Sequence, residues 1–189
     1  MKTYMFLGHG SKNQIKNFGK VKKIIDEIVQ DIPLKSKLLY FGDEPNPKAP
    51  DIGLVYEYIK EQRPDLYIHM IQNKIAKKYG YPKWVNKVSW HNDVSKACED
   101  NKWGGVDSNG NPCSNTKRWI EYHNKHGIKK CFILGGGKIT LIEARFLRKL
   151  GIPYDYYPVM RKYLGDKKTI ARDNSVGITR RLSKKKLPI

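Results

Sequence analysis

Apolar positions recur along this chain in two rhythms. The first is a short unbroken run, Tyr4-Met5-Phe6-Leu7, stopped by Gly8. Such a run, bounded by a turn former, predicts a buried strand over Thr3 to Leu7. The second rhythm follows at Phe18, Val21, Ile24, Ile25, Ile28, Val29 and Ile32. That spacing lays one apolar face along a helix, and Pro33 ends it. Lys37 to Phe41 predicts a second strand. The stretch from Gly42 to Asp51 holds Pro45, Pro47 and Pro50, which exclude regular structure there. Asp51 is placed to cap a helix through about Gln62, with Ile52, Val55, Tyr56 and Ile59 on one face. Leu66 to Ile71 predicts a third strand. Alternating strands and helices imply parallel strands joined by right-handed crossovers.

The rhythm is lost between residues 73 and 115. A helix near 74–80 is expected, then an irregular insertion with Trp84, Trp90, Trp103 and a Gly/Asn/Pro-rich run from Trp103 to Pro112. The three tryptophans predict a small subsidiary core, since such side chains are seldom exposed in numbers. Regular patterning resumes with a helix over Thr116 to Lys125, a strand over Lys129 to Leu134, a glycine turn, and a helix from about Thr140 to Leu150. Gly151 is placed to close that helix at the position after its cap. Ile152 to Val159 predicts the last strand. The expected architecture is Rossmann-like: three layers, α/β/α, around a mainly parallel sheet spanning residues 1–164, with an insertion at about 73–115.

Composition adds charge. Lys and Arg total 37 of 189 residues against 18 acids, a formal net charge of +19. A polyanionic partner, DNA or RNA or a phosphorylated ligand, and a lysine-coated surface both account for this excess. The lysine, asparagine, isoleucine and tyrosine bias also fits an AT-rich genome, such as a phage or large virus. Residues 165–189 form a basic tail with eight Lys or Arg against two Asp. Within it Arg180, Arg181, Lys184, Lys185 and Lys186 are the candidate nucleic-acid contacts. No apolar run approaches the roughly 18 residues that span a bilayer, and the opening strand is too short for a signal peptide. A cytoplasmic protein, in the host cytoplasm if viral, with no membrane partner is expected. Cys98, Cys113 and Cys131 form no C-x-x-C pair, and their spacing with His91 fits no standard zinc pattern. Neither a metal nor a cofactor is expected. His123 and His126 read as a helix end.

The candidate chemistry centres on Phe132-Ile133-Leu134-Gly135-Gly136-Gly137-Lys138-Ile139-Thr140-Leu141-Ile142-Glu143. A strand ends in three glycines and a helix begins. In a parallel sheet the ligand crevice lies beyond the carboxyl ends of the strands. Glycines there let backbone N–H groups approach a phosphate at the helix N-terminus. Thr140 adds a hydroxyl, and Glu143, three residues on, shares its face. The competing reading is a structural turn in which Thr140 and Glu143 form a capping box. Gly42, Asp43, Glu44 and Asp51 follow the second strand and would lie on the same edge, as ligand groups or as solvated turn residues. His9, after the first strand, reads either as a loop histidine or as an acid–base group.

This segment resembles the Pro-Gly-Gly-x-Gly-Thr-x-x-Glu motif of the LOG family, formerly called lysine-decarboxylase-like, within the SLOG superfamily of Rossmann-like nucleotide-binding domains. Gly136, Gly137, Thr140 and Glu143 match; Gly135 stands for the proline and Ile139 for the third glycine. Gly10-Ser11 is similar to that family's glycine-serine loop after the first strand. Leu39-Tyr40-Phe41-Gly42 and Gly53-Leu54 are loosely similar to its second strand and a following Gly-Leu. The resemblance covers about half the chain in three blocks. It implies cleavage or transfer at the N-glycosidic bond of a nucleotide, with the motif glutamate, Glu143, and an upstream arginine, here Arg118, as catalytic groups. With their place at the strand ends, it makes Gly10, Ser11, Gly42, Gly135, Gly136, Gly137 and Thr140 ligand-binding positions; Asp43 joins them through its place after the second strand, as a group for ribose hydroxyls or a metal.

Two functional expectations therefore stand. One is a binder of a phosphorylated nucleotide-type small molecule, with or without glycosidic cleavage, in a monomer or homodimer. The other is a basic nucleic-acid-binding protein on the same scaffold, as the related DprA proteins imply.

Overall fold

The computed structural model describes residues 1–8, 18–42, 52–91, 125–135, 143–144, 147–148, 150–157, 179–182 and 185–186. Its strands are β1 (Thr3–Gly8), β2 (Lys37–Phe41), β3 (Tyr67–Asn73), β4 (Lys87–His91), β5 (Ile128–Leu134), β6 (Tyr154–Tyr157), β7 (Thr179–Leu182) and β8 (Lys185–Lys186). The helices are α1 (Phe18–Gln30) and α2 (Gly53–Gln62), with a 3₁₀ helix over Lys74–Tyr79. Glu143, Ala144, Leu147 and Arg148 are also helical.

The sheet order is β4-β3-β2-β1-β5-β6-β7-β8. The six strands from β4 to β6 pair in parallel throughout. β7 adds in parallel to β6, and β8 folds back antiparallel on β7. The chain thus builds outward from β1 through β2 and β3 to β4, then returns to the other side of β1 with β5. The reversal point lies between β1 and β5.

Side chains of alternate strand positions feed two cores. Tyr4, Phe6, Leu38, Tyr40, Ile68, Met70, Phe132 and Leu134 face one side, where α1 adds Val21, Ile25, Ile28 and Val29 and α2 adds Val55, Tyr56 and Ile59. Met5, Leu7, Leu39, Ile71, Cys131, Ile133, Tyr154 and Tyr156 face the other, where Ala144 and Leu147 cover them. Helices on opposite faces are what right-handed crossovers require when the strand order reverses. The expected parallel α/β architecture is what forms.

Several local expectations differ. The 73–115 stretch is not wholly irregular: Lys87-Val88-Ser89-Trp90-His91 is a strand, registered on β3 from His69 to Asn73. Trp84 joins the main core beside Tyr40, ring centroids 5.6 Å apart, and does not start a separate one. The 74–79 segment is 3₁₀ and not α. Ile52 occupies the α2 cap position and makes no side-chain cap bond; Asp51, expected there, lies outside the described residues. Gly151 closes its helix as expected. Its φ is +65°. Its N–H bonds Arg148 O at 3.1 Å, and Ile152 N–H bonds Leu147 O at 2.9 Å, the two bonds of a Schellman closure.

Candidate ligand site at the carboxyl edge of the sheet

β1 and β5 run side by side to their last residues, with Gly8 opposite Leu134. Gly8 has φ +107°, and a Cβ built on it would lie 2.3 Å from the Leu134 carbonyl oxygen. Only glycine permits this approach of two backbones. Gly135 then turns the chain with φ +62°, its N–H donating to Tyr157 O at 2.7 Å. The reversal point therefore carries two glycines from two strands, side by side, each at the point where its strand ends. In open parallel sheets this is where ligands bind.

On its other side β1 parts from β2. Their pairing stops at Met5–Leu39, while β2 stays on β3 through Phe41–Ile71. The hydroxyl of Tyr56 on α2 sits in the fork. It accepts from Phe6 N–H at 2.9 Å and donates to Leu39 O at 2.6 Å. Two buried backbone groups that lost each other are thereby satisfied by one side chain. The sheet is held open toward its carboxyl edge, and Gly42 lies at the end of the parted β2, its N–H bonded to Ile71 O.

Glu143 lies on the second face, in the helical stretch after the Gly135 turn, and is buried at 9% exposure. It stands close enough to the fully buried Cys131 that, after burial itself, its charge is what pushes the thiol upward. A carboxylate taken from water is costly unless bonded or used.

Of the expected site positions, Gly42 and Gly135 are at the carboxyl edge, and Glu143 follows the same turn inside the molecule. Gly10, Ser11, Asp43, Arg118, Gly136, Gly137, Thr140 and Lys184 lie outside the described residues. Arg180, Arg181, Lys185 and Lys186 fall on the backbone of β7 and β8, so the basic tail supplies two short strands at the sheet edge. Cys98, Cys113 and His9 also lie outside. Among the described residues, no group of three or more His, Cys, Asp or Glu is placed to hold a metal. No described helix is long and apolar enough to cross a membrane.

A second polar cluster was not expected. His126 ends a helical stretch as expected, and its ring also meets that of His69 edge-on, centroids 5.1 Å apart. Lys37 Nζ lies 3.4 Å from His126 Nδ1, and His69 Nε2 lies 2.8 Å from Ser89 Oγ. Burial, then the charges of His126, Lys87, Lys37 and Lys125, push His69 down to about 4. The same burial and the same lysines lower His126. The only sequence signal was His69 itself, an ionisable residue inside an apolar strand.

No family model matches this chain, and no curated protein sequence matches it.

Proposed function

We propose that this protein binds a phosphorylated nucleotide-type small molecule at the carboxyl edge of its sheet, in the manner of the SLOG superfamily that its glycine-rich segment resembles. The observation that carries the reading is the close passage of Gly8 and Leu134 at the strand reversal, continued by the left-handed Gly135. Glycine at that point brings two strand ends and the turn that follows them together at the carboxyl edge, the place where parallel sheets of this kind take phosphorylated ligands. Glu143, buried after the same turn, is the acid group for chemistry at the sugar. In that role its carboxylate stabilises positive charge growing on the sugar as the bond to the base breaks, with Arg118 holding the phosphate.

The test is a panel of nucleoside mono- and diphosphates, read by melting temperature and by release of free base. A binder is stabilised by at least one of them. If it also cleaves, wild type releases base, and Glu143→Gln loses release by about a hundredfold or more while keeping the thermal shift. No thermal shift across the panel sinks the reading.

A second reading has its own support. The net charge is +19, and the β7–β8 hairpin carries Arg180, Arg181, Lys185 and Lys186. Under it the protein holds DNA or RNA through phosphate contacts. Deletion after Leu182 then weakens retention and flattens its salt dependence. Tight oligonucleotide binding without any nucleotide response selects this reading.

A further inference from the structure

The cluster of His69, His126, Lys37, Lys87 and Lys125 lies away from the carboxyl edge. Lys37 opens β2, Lys87 opens β4, and Lys125-His126 lead directly into β5. His69 is registered against Leu39 and Lys87, within the first half of β3. These residues therefore gather at the amino edge of the sheet, on the face that Ala144 and Leu147 cover elsewhere.

Three separate chain segments deliver cations to one place. Lys37 is half-buried, and burial followed by the charge of Lys87 lowers its affinity for a proton. His69 is buried at 5% exposure, and His126 is half-buried. Lys87 and Lys125 are exposed, so the cluster opens to solvent on that side. Every described charge that acts on His69 is a cation: His126, Lys87, Lys37 and Lys125. Gathering like charges is unfavourable unless a ligand of opposite sign repays it. A divalent metal is a poor occupant, because the Lys37 ammonium lies 3.4 Å from His126 Nδ1 and the charges of Lys87 and Lys125 also reach His69. An oxyanion suits all the groups present: ammonium and imidazolium donors, and the Ser89 hydroxyl at 2.8 Å from His69 Nε2.

We propose that this amino-edge cluster is a second ligand site, selective for a dianionic phosphate group, either inorganic phosphate or the terminal phosphate of a larger molecule. Lys37, Lys87 and Lys125 supply the standing charge. His126 and His69 add to it on protonation, and Ser89 orients the His69 ring. Binding the anion favours the protonated imidazoles, so the complex takes up protons as it forms, and the gain is opposed below about pH 6, where the phosphate takes up its own second proton. The site is independent of the nucleotide reading above, since no residue is shared.

The test follows the histidine Cε1–H signals by NMR through a pH titration, in sodium chloride and then in inorganic phosphate at equal ionic strength. The expected result is an upward shift of the His69 and His126 midpoints by about one pH unit in phosphate, with a dissociation constant on the order of a millimolar. Sulfate should substitute in part and chloride should not. The exposed pair Lys87→Met and Lys125→Met keeps the fold and should weaken phosphate binding by about tenfold. Lys37→Met should do the same, checked by circular dichroism for folding. A 5′-phosphorylated dinucleotide set against its unphosphorylated form distinguishes a terminal phosphate from free phosphate: a shift by the first alone extends the site to larger ligands, and a shift by neither restricts it to the free ion. Unmoved histidine midpoints in phosphate, or phosphate binding that the Lys87/Lys125 double variant leaves intact, overturns the proposal.

Discussion

Gly8 illustrates how one missing Cβ shapes this molecule. Its φ of +107° is strained for any other residue, and the atom it would clash with, 2.3 Å away, is the backbone oxygen of Leu134. Neither strand can yield without breaking the pairing between β1 and β5. Gly42 differs in kind. A Cβ there would meet the Met70 methyl at 2.2 Å and the Gln72 amide at 2.9 Å, both ends of flexible side chains. Gly8→Ala is therefore expected to cost about 2 kcal/mol or more, and Gly42→Ala clearly less. Urea unfolding of the two variants measures this; equal losses would contradict the account of the reversal point. Sequence alone marked Gly135 and Glu143, because a strand followed by glycines and a helical pattern is a local signal. It did not mark the meeting of Gly8 with Leu134, which depends on strand order. Nor did it mark the contact of His69 with His126, residues far apart in the chain that only the β3–β2–β1–β5 arrangement brings together.

At the scale of elements, α2 does more than cover a sheet face. Through the Tyr56 hydroxyl it holds the fork where β1 leaves β2, satisfying Phe6 N–H and Leu39 O. Tyr56→Phe keeps the ring but leaves those two buried groups without that partner. The expected loss is about 1–3 kcal/mol, together with faster amide exchange at Phe6. An unchanged stability would show that the fork closes on itself when the hydroxyl is gone. Most elements were legible from their rhythms: α1 through its three-and-four spacing, β1, β2 and β5 through short apolar runs, and the Gly151 closure through its glycine. β4 was not. Its polar Lys87, Ser89 and His91 alternate with Val88 and Trp90, and at the outer end of the parallel order it lacks the continuous apolar run that marks a central strand. The 3₁₀ helix at 74–79 differs from the expected α-helix only in its winding, which periodicity over six residues cannot resolve.

At the scale of the whole molecule, one sheet separates two edges with different chemistry. The amino edge gathers histidines whose protonation opposes folding. His69 is held at about 4, against about 6.5 in an unfolded chain. As pH falls through that window, the unfolded chain binds a proton that the native one resists. Stability is thus full above about pH 6.5 and declines toward pH 4, by on the order of 3 kcal/mol for this group. Denaturation midpoints across pH 4–7 should show the decline, and His69→Gln should flatten it. An equally steep profile in that variant would assign the acid loss to other groups. At the carboxyl edge, the proposed phosphorylated nucleotide-type ligand sits where β1 and β5 end. The most direct measurement is a backbone amide NMR titration with the best-stabilising nucleoside monophosphate. The largest shifts are expected at Gly8 and Gly135, with saturable dependence on concentration. Unmoved Gly8 and Gly135 amides, with shifts confined to β7 and β8 on adding an oligonucleotide, would contradict it.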